Sequence, residues 1–255
     1  MTAATSRAPL HVEVWGDGTP VVLVHGSLAT GAEEWEAQRP LAEQGFRLVV
    51  PDRRGYGASP AADGEDFLVD AEDILELMGD GAHLVGHSYG GLGAMFAAAR
   101  RPEATMSLTL LEAPATAMAQ DDAVWRSLTE EIRQLWDQDL SDQEWVVRFL
   151  KAVGSDPDQF PPGMLELAVP LVPVFRHGRP LFDADVPYDA LAAAPFPKLV
   201  VSGGHSTGFD AMCRDLACRI GGEHAVVEGA GHEIQFTGEP INEALLSLWR
   251  PARTR

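Results

Sequence analysis

The chain has 255 residues, of which 45% are hydrophobic and 22% charged, a composition typical of one large folded domain rather than a disordered chain. Its 38 acidic residues outnumber 19 basic ones, and the resulting net charge of −19 repels nucleic acid and anionic membrane surfaces, so we expect neither as a partner. The N-terminal segment lacks the apolar core of a signal peptide, and no apolar run reaches the roughly 20 residues of a membrane span. We therefore expect a cytoplasmic protein, either a monomer or a homodimer.

Short apolar runs alternate with segments of helical periodicity over the first 115 residues. The apolar runs predict five strands, which are Leu10–Val14, Val21–Val24, Phe46–Val50, His83–Val85 and Met106–Leu111. Apolar residues at helical spacing predict three helices, which are Glu33–Gln44, Asp66–Met78 and Tyr89–Arg101. This alternation indicates an α/β fold in which a mostly parallel central sheet is covered by helices on both faces.

The strand pattern stops between residues 117 and 189. Apolar residues fall on one helical face from Trp125 to Trp136 and again from Trp145 to Val153, with Ser141 as the N-cap of the second helix. A third apolar segment, Met164–Phe175, is entered through Pro161-Pro162. We therefore interpret residues 117–189 as a helical insertion.

Strand patterns resume at Lys198–Val201 and His224–Val227. We interpret residues 1–116 and 190–255 as one core domain, into which the helical segment is inserted. The only two cysteines, Cys213 and Cys218, lie five positions apart on a predicted helix. They point to different faces at that spacing, so no disulfide is expected.

A G-x-S-x-G motif surrounds Ser88, in the segment 83–91 that reads HLVGHSYGG. The motif follows a predicted strand and opens a predicted helix. A serine at such a sharp turn has its hydroxyl exposed above the sheet, and the glycines avoid collisions with the neighbouring strand and helix. The N-terminus of the new helix directs backbone N–H groups at the same place. These features favour Ser88 as a nucleophile over a mere glycine-rich turn, and they assign no role to His87.

Three further segments complete a recognisable series, which are residues 22–26 (VLVHG), 51–59 (PDRRGYGAS) and 229–232 (GAGH). With these motifs in this order, the sequence resembles an α/β-hydrolase over nearly its whole length. The resemblance implies a cap formed by residues 117–189 after the sixth strand of the fold. It also implies an oxyanion hole made by the backbone N–H of Tyr89 and that of either Ser27 or Leu28.

His232 follows the last predicted strand through a glycine-rich turn. A loop at the carboxyl edge of the sheet can deliver an imidazole within hydrogen-bond reach of a nucleophilic serine. The chain order of serine, acid and histidine is the one that this fold requires. We therefore interpret His232 as the general base, and His25 as a structural residue.

The acidic member of the triad departs from the family pattern. Many members carry an aspartate shortly after the strand Lys198–Val201, but here Ser206 stands at that place. Two carboxylates remain as candidates: Glu112 at the end of the strand Met106–Leu111, and Asp210 beyond Ser206. We favour Glu112, because Asp210 is well explained as a first-turn helix residue; a triad without an acid is the third possibility.

These residues predict a serine hydrolase that acts through an acyl-enzyme at Ser88, without a cofactor or metal. Tryptophans of the insertion predict an apolar roof over the pocket, and hence a small to medium, fairly apolar ester or lactone as substrate. The motifs leave open C–C bond hydrolysis, acyl transfer and perhydrolysis on the same fold. A ligand-binding or degenerate hydrolase without turnover also remains open. Asp52 and Arg54 are expected to brace a loop by charge-assisted hydrogen bonds.

Overall fold

A computed structural model describes residues 7–155, 157–159 and 163–250 of the chain. The strands are β1 (Val12–Trp15), β2 (Thr19–Val24), β3 (Phe46–Pro51), β4 (Ala82–His87), β5 (Thr105–Leu111), β6 (Lys198–Ser202) and β7 (Glu223–Val226). The α-helices are α1 (Gly31–Trp35), α2 (Phe67–Leu77), α3 (Ser88–Arg100), α4 (Ala123–Trp136), α5 (Asp142–Ala152), α6 (Met164–Ala168), α7 (Val172–Arg176), α8 (Tyr188–Ala193), α9 (Thr207–Ile220) and α10 (Glu239–Trp249). Short 3₁₀ helices cover Glu36–Gln44, Pro157–Gln159, Val169–Leu171, Leu181–Asp183 and Ile234–Thr237.

The strands form one sheet in the order β1-β3-β2-β4-β5-β6-β7. Strand β1 runs antiparallel to β3, and the other neighbouring pairs are parallel. Alternate residues of β2 divide between two hydrophobic clusters: Val22 and Val24 pack on the α2 and α3 side, Val21 and Leu23 on the side of α1 and α10. Because successive strand residues point to opposite faces, both faces of the sheet are buried. The predicted α/β fold with helices on both faces is confirmed.

Two predicted helices are broken up by prolines. The predicted helix Glu33–Gln44 is α-helical only to Trp35 and continues as a 3₁₀ segment that contains Pro40. The predicted segment Met164–Phe175 is divided into α6, a 3₁₀ turn and α7. Proline has no N–H to donate and fits best in a first helical turn. Pro170 and Pro173 accordingly lie in the first turns of the new segments, whereas Pro40 lies inside its 3₁₀ segment, where it cannot donate an α-helical bond to the Glu36 carbonyl. The predicted entry through Pro161-Pro162 lies outside the described residues.

The described part of the insertion contains helices and turns but no strand. It follows β5, the fifth strand of this chain, whereas the family numbering predicted the sixth, and α8 crosses the predicted boundary at residue 189. Ser141 caps α5 as predicted, in a reciprocal capping box with Glu144. Aromatic side chains of the insertion pack together, and the ring centroids of Phe149 and Phe175 lie 4.8 Å apart. The division into core and cap domains stays a prediction.

The carboxyl edge of the parallel strands gathers the chain's candidate site residues. His87, the last residue of β4, lies beside Leu111, the last residue of β5, and Leu111 lies beside Val201 of β6. Ser88 and Glu112 therefore leave adjacent strands at the same level. Within the described ranges, no helix is long and apolar enough to cross a membrane, and Cys213 and Cys218 are free thiols, as predicted.

Candidate active site

Ser88 occupies a strained turn between β4 and α3. Its φ of 46° lies in the left-handed region, which costs a non-glycine residue roughly 1–3 kcal/mol. The flanking glycines permit the turn: a Cβ on Gly86 would lie 2.6 Å from the Cα of Gly91, and one on Gly90 would lie 2.2 Å from the carbonyl oxygen of His25. Side chains at these two positions would therefore collide with neighbouring backbone, as the motif predicted.

The imidazole of His232 lies between Ser88 and Glu112. Its Nε2 is 3.2 Å from Ser88 Oγ, and its Nδ1 is 2.7 Å from Glu112 Oε2. The turn before it contains Gly229 and Gly231 with φ of 74° and 71°, a conformation that glycine adopts without strain. The glycine-rich loop therefore brings the ring within hydrogen-bond distance of Ser88 Oγ.

Glu112 is fully buried and has a φ of 42°, a second left-handed residue in the site. Its Oε1 accepts a hydrogen bond from the Gly203 N–H at 2.8 Å. Gly203 belongs to the loop after β6, where an aspartate was expected. This loop contributes an amide that orients the glutamate, and it contributes no carboxylate to the imidazole.

Asp210 lies in the first turn of α9 and has another partner. Its Oδ1 accepts from Ser202 Oγ at 2.5 Å, and Ser202 Oγ also lies 3.1 Å from His224 Nε2. Ser206 precedes α9 as N-cap residue and makes no side-chain capping bond. Of the two carboxylates considered, the structure brings Glu112 to His232 and leaves Asp210 on Ser202.

Burial sets the protonation of the imidazole and the glutamate in opposite directions. It lowers the pKa of His232 to about 3, with help from the neighbouring His87 and His205. Burial also raises the pKa of Glu112, whereas His205 and the Gly203 N–H lower it. An imidazole that is neutral at pH 7 has a lone pair free to accept the serine proton.

Comparison with known proteins places this arrangement in a family. A match to the alpha/beta hydrolase family covers residues 21–244, which include the serine turn, Glu112 and the histidine loop. The chain belongs to the α/β-hydrolase family.

Individual relatives carry several activities. The chain is 32% identical to a pimeloyl-acyl-carrier-protein methyl ester esterase of Aeromonas salmonicida over 151 residues, which are 57% of this chain and 58% of that protein. It is 34% identical to a 2-hydroxy-6-oxo-6-phenylhexa-2,4-dienoate hydrolase of Burkholderia cepacia over 116 residues, 42% of this chain and 40% of that one. The chain thus spans about half the length of these relatives. The esterase EaEST of Exiguobacterium antarcticum superposes with a TM-score of 0.71 at 25% identity, covering 93% and 94% of the two chains.

A cavity of about 490 Å³ opens above Ser88. The insertion contributes an apolar part of its lining, which consists of Phe149, Leu150, Val153, Met164, Leu167 and Ala168. A second cavity of about 30 Å³ also borders Ser88 and His232, between aromatic side chains that include Trp125, Phe149 and Phe209. In the described ranges, no group of three His, Cys, Asp or Glu side chains is placed to hold a metal ion.

The backbone around the predicted oxyanion donors belongs to this same cavity. Ser27 and Leu28 line it together with Ser88, and Leu28 has a φ of 67°. Tyr89 lies in the first turn of α3, where a backbone N–H has no acceptor within its own helix. The Tyr89 side chain points elsewhere, since its hydroxyl donates to the Arg179 carbonyl at 2.7 Å.

The predicted bracing roles of Asp52 and Arg54 are confirmed. Asp52 accepts from the backbone N–H of Gly31 and of Ala58, each at 2.9 Å. Arg54 forms two bonds with Asp73, at 2.7 and 2.8 Å. His25 is structural as expected, because its Nε2 accepts from a backbone N–H at 2.8 Å.

A buried ionic network beneath the Ser27 loop was not predicted from the sequence. Arg53 donates to Glu65 and Asp70, at 2.9 Å each, and to the Gly26 carbonyl at 3.1 Å. Glu65 also accepts from Ser27 Oγ at 2.8 Å. The sequence around Glu65 and Asp70 did not indicate this network, because acidic residues near the start of a helix are usually exposed and interact with the helix dipole.

His205, in the loop after β6, lies close to the buried acid and to the insertion. Its Nε2 donates to the Val153 carbonyl of the insertion at 3.0 Å, and its Nδ1 lies 3.4 Å from Glu112 Oε1. Together with Gly203, it ties the loop after β6 to the buried glutamate.

Gly203→Ala tests the close approach of this loop to the histidine loop. A Cβ there would lie 1.8 Å from the Gly231 carbonyl oxygen, so one backbone must move. We expect a loss of roughly 2–3 kcal/mol in the free energy of unfolding, a Tm lower by roughly 5–10 °C, and a marked loss of activity. Gly229→Ala is the control, because nothing lies within 4 Å of its Cβ and left-handed strain alone costs roughly 1 kcal/mol. Equal Tm values for the two variants contradict the expectation.

Proposed function

We propose that this chain is a serine hydrolase that cleaves a small to medium, uncharged and fairly apolar ester or lactone through an acyl-enzyme at Ser88. One observation carries the proposal. The Ser88 hydroxyl, the His232 imidazole and the Glu112 carboxylate are joined by hydrogen bonds of 3.2 and 2.7 Å, and the hydroxyl borders the 490 Å³ cavity.

Acylation begins when His232 Nε2 takes the proton of Ser88 Oγ while the oxygen attacks the carbonyl carbon. The negative charge that develops on the carbonyl oxygen is stabilised by the backbone N–H of Tyr89 and of Ser27 or Leu28. Glu112 holds the imidazole by its Nδ1–H and stabilises the imidazolium. As the tetrahedral intermediate collapses, the C–O bond breaks and the alcohol leaves with the proton from His232.

Deacylation repeats these steps with water as the nucleophile. His232 removes a proton from the water, whose oxygen attacks the acyl carbon, and the same backbone N–H groups stabilise the oxyanion. The bond to Ser88 Oγ then breaks, and Oγ recovers its proton from the imidazolium. The products are a carboxylic acid and the free enzyme.

The lining of the larger cavity favours an uncharged substrate. Its side chains from the insertion are apolar. The lining also includes the carboxylates Glu33 and Glu233, and Glu34, whose carboxylate is paired with His87, with no lysine or arginine among the described lining residues. A dienoate such as the one named for the Burkholderia relative carries a carboxylate, which these side chains would repel. Ester or lactone cleavage therefore fits the site better than C–C cleavage of an anionic substrate.

A matched pair of substrates tests this charge preference. We expect the kcat/KM for 4-nitrophenyl butyrate to exceed that for the 4-nitrophenyl monoester of succinic acid by roughly tenfold or more, about 1.4 kcal/mol. The acyl chains have the same length and differ in one carboxylate. Glu233→Gln should narrow the gap, because it removes one repelling charge. Equal kcat/KM values for the two substrates contradict the preference.

Turnover and inactivation together test the proposed function. The purified protein should hydrolyse 4-nitrophenyl butyrate and lose that activity in step with labelling by a fluorophosphonate probe. A 2-hydroxy-6-oxo dienoate serves as the C–C substrate in parallel. No turnover and no labelling would remove the hydrolase proposal, and dienoate cleavage without ester cleavage would replace it by the C–C reaction.

A further inference from the structure

His87 lies beneath the triad and contacts the loops on either side of it. Its Nε2 lies 3.0 Å from the backbone carbonyl oxygen of His232, and its Nδ1 lies 3.0 Å from Glu34 Oε1. The rings of His87 and His232 have centroids 4.9 Å apart. The His87 and Glu34 side chains are almost fully buried, at 6% and 3% exposure.

The partners of the two ring nitrogens fix the protonation state of His87. A backbone carbonyl can only accept a hydrogen bond, and an ionised carboxylate can only accept one. With Glu34 ionised, as its two bonds from the Gly26 N–H favour, both nitrogens of His87 carry a proton and the ring is an imidazolium. The amide of Gln235 lies 3.3 Å from Nδ1 and leaves its own Oε1 without a partner. Exchanging the amide O and N, which have nearly the same shape, places a third acceptor on the same imidazolium.

Glu34 extends the contact to the third loop of the site. Its two carboxylate oxygens accept from the backbone N–H of Gly26 at 3.0 and 3.1 Å, immediately before Ser27 and Leu28. A buried carboxylate and a buried imidazolium compensate each other's charge, whereas either one alone would be costly. The pair thus joins the Gly26 loop, the serine turn and the His232 loop.

We infer that His87 is a positioning residue, held as an imidazolium by Glu34, and that this ion pair fixes the base and the oxyanion loop relative to Ser88. The inference rests on the proposed function for its kinetic consequence, because it concerns the same reaction. Its structural part, the protonated ring that holds the His232 carbonyl, stands apart from turnover. Neither side chain contacts the reacting atoms in this account.

Several charged or titratable groups face His87. They are Glu34 of α1, His25 of the loop after β2, Glu112 at the end of β5, and His232 and Glu233 of the loop after β7. Although burial lowers it, the Glu34 carboxylate raises the pKa of His87 above its ordinary value. A raised pKa favours the imidazolium, and the ion pair is lost as the pH rises through the pKa of the folded state.

Nuclear magnetic resonance of the ¹⁵N-histidine-labelled protein reads the ring directly. We expect both ring nitrogens of His87 to carry protons at pH 7.5. His83, on the same strand, is the internal reference: burial lowers its pKa to about 4, so it stays neutral. We also expect a low-field proton resonance from the bond between His232 Nδ1 and Glu112. A neutral His87 ring at pH 7.5 overturns the inference.

The variants His87→Gln and Glu34→Gln test the positioning role, with His83→Gln as the control for a glutamine buried in β4. We expect His87→Gln and Glu34→Gln each to lower kcat by roughly 10- to 100-fold, the effect of misplaced catalytic groups, with KM changed less than about twofold. The double variant should lose no more than either single one, because the two residues act as a pair. The alkaline fall in wild-type kcat should follow the His87 titration and be absent from His87→Gln.

The outcomes separate the two proposals. If the wild-type protein shows no turnover, the proposed function fails, and the low-field His232 proton still decides the positioning role: it must shift or broaden in His87→Gln and persist in His83→Gln. An unchanged His232 proton in a folded His87→Gln variant overturns the inference. An unchanged kcat in that variant does so as well. If His87→Gln does not fold, the ring protonation of the wild-type protein and the kcat of Glu34→Gln decide.

Discussion

Ser88→Ala lowers the kcat for 4-nitrophenyl butyrate by roughly 10⁶-fold in our account, the size of effect that loss of a triad nucleophile has in other serine hydrolases. Among the described residues, Ser88 supplies the hydroxyl that is hydrogen-bonded to His232 Nε2, so no other hydroxyl can replace it as nucleophile. The variant removes one oxygen from a strained turn, so its fold and Tm should stay close to those of the wild type. Stopped assays at high enzyme concentration measure the residual rate.

Ser206→Ala is the matched control for this loss. Ser206 also precedes a helix, α9, but its side chain makes no capping bond. We expect its kcat to stay within about twofold of the wild type, since a surface substitution without partners changes little. A Ser88→Ala variant that keeps more than about one hundredth of the wild-type kcat would show that the hydrolysis does not pass through Ser88.

Glu112→Gln is expected to lower kcat by roughly 10⁴-fold, the effect of a carboxylate-to-amide change behind a triad histidine. Glutamine preserves the size of the side chain and can still accept from the Gly203 N–H. However, its amide no longer stabilises the imidazolium, and an amide N–H facing Nδ1 leaves the proton on Nε2, where it cannot accept from Ser88. KM should change little, because Glu112 is buried behind the imidazole and away from the larger cavity.

Asp210→Asn separates this role from that of the second carboxylate. Asp210 accepts from Ser202 Oγ, and an asparagine oxygen can accept the same bond, so kcat should stay within about threefold of the wild type. The assignment of the acid to Glu112 is wrong if Glu112→Gln retains full activity while Asp210→Asn loses it. Circular dichroism and Tm measurements on both variants exclude a loss of fold as the cause.

The sequence predicted the parts of the site that depend on local backbone geometry. Gly86, Ser88 and Gly90 form a turn between one strand and the helix that follows it, and their spacing indicates this turn although Gly90 packs against the His25 carbonyl of a remote loop. The predicted acid depended on chain order, since Glu112 ends a buried strand next to the one that ends before Ser88. Glu112 was also favoured because the loop after β6 has Ser206 where the family pattern has an aspartate.

Long-range pairs were beyond prediction. Glu34 and His87 are 53 residues apart, and nothing near either residue indicates that both are buried or that they meet. The motif alone assigns His87 no role, because G-x-S-x-G allows any residue at the position before the serine. Arg53 lies within the 51–59 motif, but its buried partners Glu65 and Asp70 lie outside it, so the motif did not indicate the network. Packing of remote segments decides such contacts, whereas local periodicity decides where strands and helices form.

The most direct test of the account is the site of covalent modification. The protein is reacted with a fluorophosphonate, digested, and analysed by tandem mass spectrometry, with Ser88→Ala treated in the same way. We expect one added phosphonyl group per chain, on Ser88, and none in the variant. An unmodified Ser88, or a phosphonyl group on another residue that accompanies the loss of esterase activity, would contradict it.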